Sequence, residues 1–188
     1  MKRLFIGVPI QSERAMHLVQ DWSADPLLNR NRMVWTKPYN WHITFFFLGA
    51  TPESQLAILQ QLINDAFNDA QSITGQLTGV GVFPEKGKPR ILWMGLENLQ
   101  PLLASYGLLE NLLLKNGFHF DPKPLKPHLT LARIKSLSDR PSLELLLNQY
   151  KSYHFATAEI NRVTLFESVS SKAGIIYESL YEKWLLKL

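Results

Sequence analysis

The chain has 188 residues, a formal net charge of +4 and no cysteine. That length suits one large domain or two small lobes with a real core. The missing thiols exclude disulfides, thiolate metal sites and cysteine catalysis; the mild positive charge suits a phosphate-bearing partner without requiring one.

The opening "MKRLFIGVPI" resembles the front of a signal peptide, but "QSER" follows too soon and no small-residue cleavage site comes after it. No segment approaches membrane-spanning length, so a soluble, cytoplasmic protein is expected. In chain order the patterns predict a strand at 3–9, a helix at 12–22, a strand at 41–49 and a helix at 52–70. Strands at 73–83 and 90–96, a helix at 98–116, a strand at 128–134, a helix at 140–150 and strands at 153–168 and 174–183 complete the chain. In the second helix Thr51 is the expected N-cap and Pro52 the first helical residue, ahead of an apolar stripe through Leu56, Leu59, Leu62, Ile63, Ala66 and Phe67. The third helix should end at Gly117. "FPEKGKPR" and "FDPKPLKP" read as loops.

Two runs stand out, "KPYNWHIT" and "KPLKPHLT". Each carries His-x-Thr, and Lys-Pro begins five residues before each histidine, at Lys37 and Lys123. A turn and a helix follow each, opened by "TPES" or "SDRPS", and then strands containing "VGVF" at 80–83 and "VTLF" at 163–166. The halves close with "RILWMGL" and "GIIYESLY". The shared order reads as a diverged duplication of a β-α-β-β-β unit, roughly 37–96 and 123–183. The expected fold is α+β: a single bilobal domain over 1–188, with two pseudo-symmetric lobes, each a small antiparallel sheet with outer helices. The active-site cleft would lie between them.

Side chains alternate across a strand, so His42 and Thr44 share a face, as do His128 and Thr130. Imidazole has an ordinary pKa of about 6.5, so one ring can be protonated and the other neutral near neutrality. That supplies a general acid and a general base, with two hydroxyls to hold phosphate oxygens. A lone buried histidine is more often a satisfied core residue, and threonine is simply a good strand former. Two copies in matched surroundings reverse that reading. Zinc would want three or four ligands, and each motif offers one. His17, His119 and His154 show no metal spacing.

The sequence resembles the 2H phosphoesterase superfamily, and within it the bacterial and archaeal RNA 2′,3′-cyclic phosphodiesterases, also called 2′-5′ RNA ligases. The resemblance is carried by "HITFFFLG" at 42–49, "RILWMGL" at 90–96, "KPHLTLAR" at 126–133 and "LFES" at 165–168. Phe45 and Phe46 stand where smaller or aliphatic residues are more usual. The resemblance implies a reaction without metal or nucleotide cofactor, in which water opens a terminal 2′,3′-cyclic phosphate to a 2′-phosphate. It implies that His42 is the proton donor to O3′, that His128 is the proton acceptor from water, and that Thr44 and Thr130 bind phosphate. Expected partners are RNA ends bearing the cyclic phosphate, with tRNA fragments as candidates, met by a monomer away from any membrane. The reverse reaction would make a 2′-5′ linkage. Two other readings stand beside this one: an enzyme on a small cyclic-phosphate metabolite, and a non-catalytic RNA-end binding module.

Phe47 and Arg133 lie five residues beyond their histidines, and a plate and a planar cation on opposite walls would sandwich a nucleobase. Strict alternation puts residue i+5 on the wrong face, so this pairing requires a bulge or strong twist near the strand end.

Overall fold

The computed structural model describes residues 1–121, 124–172 and 174–187. The chain runs β1 (Lys2–Pro9), α1 (Glu13–Ala24), β2 (Arg32–Trp35), β3 (His42–Thr51), α2 (Leu56–Ala66), β4 (Ile73–Glu85) and β5 (Lys88–Glu97). It continues through α3 (Leu103–Lys115), β6 (His128–Ser136), α4 (Arg140–Tyr150), β7 (His154–Ile160), β8 (Arg162–Ser171) and β9 (Gly174–Trp184).

The helix ends show local chemistry prevailing in some places and tertiary pairing in others. Ser12 caps α1 by accepting from the Ala15 N–H, and Asp139 caps α4 by accepting from Ser142. α3 closes as expected: Gly117 adopts φ 78°, and the Gly117 and Phe118 N–H groups donate to Leu114 and Leu113 at 3.1 and 3.0 Å. Thr51, however, does not cap α2. It ends β3 paired with Lys2, is buried, and donates its hydroxyl to the Gly49 carbonyl. Pro52 is extended, and a 3-10 turn at Glu53–Gln55 precedes the helix. The edge of β1 claims Thr51 before the helix can.

"FPEKGKPR" is not a loop but the end of a long hairpin. β4 and β5 remain paired down to Glu85 and Lys88, and only Lys86 and Gly87 turn, with φ 50° and 76°. Positive φ at both central residues matches the right-handed twist of the flanking strands. Between 120 and 127 the described residues form no helix or strand, and Lys123 lies outside them.

The strands form one sheet, ordered β7-β4-β5-β6-β3-β1-β8-β9, with β2 also paired to β6. The strand expected at 153–168 divides at Asn161. Its halves pair at opposite ends of the sheet, β7 with β4 and β8 with β1, so the one-residue link requires the sheet to curl. α2 packs on α3 and reaches β8 and β9, while α1 reaches β7 and α4 reaches β4.

This order corrects the expected grouping of strands. The hairpin that follows the first His-x-Thr strand, β4–β5, pairs with β6; β8–β9, which follows the second, joins β1 beside β3. β1 already occupies one edge of β3 from Lys2↔Thr51 to Pro9↔His42, and β6 meets the other at Ile43↔Leu129. Gly7 permits that close approach, because a Cβ there would collide with the Ile43 carbonyl oxygen.

Candidate active site

β3 and β6 meet at Ile43↔Leu129, both buried in the core. Their flanking residues therefore point the other way. Continuing this antiparallel register by one step places His42 opposite Thr130 and Thr44 opposite His128. Both His-x-Thr pairs thus come together on one face of the sheet.

Each strand then bulges at the same distance from its histidine. Thr44 pairs with Gly7 and Phe46 with Ile6, leaving Phe45 as the extra residue. Thr130 pairs with Trp93 and Ala132 with Leu92, leaving Leu131 extra. Burial follows the shift: Phe45 and Phe46 are buried in succession, as are Leu131 and Ala132. The alternation changes phase, and Phe47 and Arg133 emerge exposed on the motif face.

A cavity of about 380 Å³ is lined by His42, Thr44, Thr130, Phe47 and Arg133. His128 lines a neighbouring cavity of about 560 Å³, which meets the first at Thr44 and Phe47. Phe46, Phe83 and Tyr106 make this second wall largely apolar.

The two rings are held alike. His42 Nδ1 lies 2.7 Å from the Asn40 carbonyl, and His128 Nδ1 lies 2.6 Å from the Lys126 carbonyl. A carbonyl only accepts, so each Nδ1 carries hydrogen and each Nε2 remains for a ligand. Their surroundings differ. His42 sits among Phe5, Tyr177 and Phe166, with ring centroids 4.7, 4.8 and 5.8 Å away. Among the described residues His128 has one such neighbour, Phe83, edge-on at 4.7 Å. Buried Asn40 also ties this wall to β9, donating to the Ile175 carbonyl at 2.8 Å and accepting from the Tyr177 N–H at 3.1 Å.

The family described as LigT like Phosphoesterase matches residues 21–93 and 97–177. The chain belongs to this family. An RNA 2′,3′-cyclic phosphodiesterase of Thermotoga maritima is 31% identical over 184 residues, covering 96% of this chain and 94% of that one. Its counterpart from Aquifex aeolicus is 32% identical over 158 residues, covering 80% and 81%. The crystal structure of TT0787 of Thermus thermophilus matches with a TM-score of 0.77 at 25% identity, covering 97% of each chain.

In this LigT-like phosphoesterase, burial pushes the His42 pKa down to about 4. The Asn40 carbonyl opposes that shift, and nearby His128 adds slightly to it. Burial also lowers His128, against the Lys126 carbonyl. Burial therefore favours the neutral form of both rings before an anion enters, most strongly for His42. Among the described residues no three His, Cys, Asp or Glu side chains gather in a way that could hold a metal ion. His17, His119 and His154 are all exposed. No described helix is long and apolar enough to cross a membrane.

Sequence reasoning missed several wall residues: Arg3 and Phe5 from β1, Asn40, Ser168, Ser170 and Tyr177. The Arg3 guanidinium lies over the Phe47 ring, 4.9 Å from its centroid. Arg3 and Phe5 do alternate in β1, but only pairing with β3 shows that they face the site. The short strand β2 was also missed, being only four residues long.

Proposed function

We propose that this protein hydrolyses RNA 2′,3′-cyclic phosphate ends to 2′-phosphates by paired-histidine acid–base catalysis. The observation that carries this reading is the Ile43↔Leu129 register, which brings His42, Thr44, His128 and Thr130 to one face. The names of the Thermotoga and Aquifex relatives supply the substrate class. In the proposed step His128 Nε2 takes a proton from water, and the water oxygen bonds to phosphorus. The P–O3′ bond breaks, and O3′ takes a proton from His42. The product carries a 2′-phosphate and a free 3′-hydroxyl. Thr44 and Thr130 donate to the non-bridging oxygens, while Phe47 and Arg133 hold the terminal base between them. With a 5′-hydroxyl RNA end in place of water, the same displacement makes a 2′-5′ linkage and frees the 3′-hydroxyl.

The low His42 pKa bears directly on this assignment. A buried imidazole resists protonation, so the acid role requires the phosphate anion, whose charge raises the pKa of a ring beside it. The same burial favours a second reading in which His42 is the base and His128 the acid. We read residues 1–188 as one bilobal domain, acting as a cytoplasmic monomer with tRNA fragments among its substrates.

The test uses a short RNA with a defined 2′,3′-cyclic end, its product identified by phosphorus NMR. A 2′-phosphate supports the reading. A 3′-phosphate, or binding without turnover, would sink it.

A further inference from the structure

An RNA end has a chain behind the terminal nucleotide that the proposed reaction acts on. At Arg133 the active-site cavity adjoins a second depression of about 430 Å³, lined by Arg133, Arg90, Lys135, Phe83 and Glu85. This shares Arg90, Ile134 and Lys135 with a third, of about 380 Å³, lined also by Lys88 and Arg140. The depressions form a path from the site mouth, between the tip of the β4–β5 hairpin and the end of β6.

The cations on that path are arranged rather than scattered. Arg90 is pinned at the end of the β5–β6 ladder, with its Nη1 donating to the Ile134 and Lys135 carbonyls at 3.2 and 3.3 Å. Lys135 is the extra residue where β6 pairs with β2, because Arg32 faces Ser136 and Met33 faces Ile134. It is exposed beyond buried Ile134, two residues along β6 from Arg133, which is also exposed.

Two carboxylates offset part of the charge: Glu85 lies 3.6 Å from Arg90, and Glu144 lies 2.7 Å from Arg140. Among the described residues, Lys88, Lys135 and Arg133 make no ion pair within 4 Å. Where the β8–β9 hairpin lines the site it presents Ser168 and Ser170, and the cation on that side of the site is Arg3 of β1.

We propose that this path binds the phosphodiester backbone of the nucleotides upstream of the cyclic end, with Lys88, Arg90 and Lys135 as its phosphate contacts. The proposal rests on the RNA-end reading above. A single strand leaving the site past Arg133 meets these cations in turn, without sequence preference, because phosphate contacts carry no base information.

The test compares the wild type with Lys88→Ala, Lys135→Ala and the double variant, all changes at exposed positions. Two readouts are needed: kcat/KM on cyclic-ended RNAs from mononucleotide to hexamer, and anisotropy of a labelled hexamer ending in 2′-phosphate. Wild-type kcat/KM should rise with length. Each substitution should weaken hexamer binding about threefold and reduce the slope of log affinity against log salt by about 0.7. Turnover of the cyclic mononucleotide should not change. Equal handling of all lengths, or a double variant that keeps the full gain with length, would overturn the path. So would equally tight binding of a polyglutamate peptide. If the hexamer binds through Lys88 and Lys135 but no cyclic end is opened, the path stands and the hydrolytic reading fails.

Discussion

Ile43 and Leu129 stand opposite one another at the junction of β3 and β6, and this pairing aligns both motifs. Because the strands run antiparallel, each histidine is set across from the other motif's threonine. A cyclic phosphate on that face would meet one imidazole and one hydroxyl from each strand.

His42→Ala and His128→Ala should each lower turnover by about 10²-fold or more, with the double variant far from additive. A phosphodiester with a nitrophenolate leaving group separates the roles. Such a group departs without a proton, so the variant lacking the acid should recover on it and the variant lacking the base should not. Recovery by His128→Ala alone would establish the swapped assignment. A folded single variant with near-full activity on RNA would remove the histidine pair from the mechanism.

His42 should also govern acid stability. Between about pH 4 and about 6.5 the unfolded chain binds a proton at this residue and the folded chain does not. Stability therefore falls as pH drops through that window, by roughly 3 kcal/mol for a shift of this size. Urea denaturation at pH 7 and pH 4 measures the loss, and His42→Phe should remove most of it. An identical pH dependence in that variant would show that other groups cause the acid sensitivity.

The rate should be bell-shaped in pH, with limbs that belong to the histidine pair rather than to either residue. In the free protein both imidazoles are lowered, whereas a bound phosphate anion raises them. The optimum of kcat should accordingly lie at higher pH than that of kcat/KM. Coincident optima would mean that substrate does not retune the rings. EDTA should leave both profiles unchanged.

Asn40 is expected to position His42. Asn40→Ala removes the bonds to Ile175 and Tyr177 while keeping the backbone carbonyl at Nδ1, and it should destabilise the fold by about 1–3 kcal/mol. Asn40→Asp adds a carboxylate to the wall that His42 shares, which favours imidazolium and should move the pH–rate profile upward. An unmoved profile in a folded Asn40→Asp protein would reduce Asn40 to a structural staple.

Phe47→Ala and Arg133→Ala should each weaken handling of cyclic nucleotides by roughly 1–3 kcal/mol, with little distinction among bases. A base-free phosphodiester should be almost indifferent to both. Arg3 already lies over one face of Phe47, so a base stacking there must displace or join it. Equal losses on the base-free substrate would assign Phe47 and Arg133 to the phosphate or the fold.

The sequence by itself determined the elements that depend on local chemistry. The spacing in His42-Ile43-Thr44 and His128-Leu129-Thr130 compels a shared face, because side chains alternate in any extended strand. The stripe of α2 and the Gly117 end of α3 follow equally local rules. Only the tertiary structure decided which strands became neighbours. Phe45 and Leu131 are ordinary apolar residues in apolar runs, and nothing local marks them as bulges. A bulge is a mismatch of count between two strands, so it exists only once Gly7 and Ile6, or Trp93 and Leu92, are in place opposite. The same holds for Arg3 and Tyr177, which reach the site from β1 and β9 through strand pairing. The depth that separates His42 from His128 likewise arises from Phe5, Phe166 and Tyr177, distant in sequence and brought together by strand pairing.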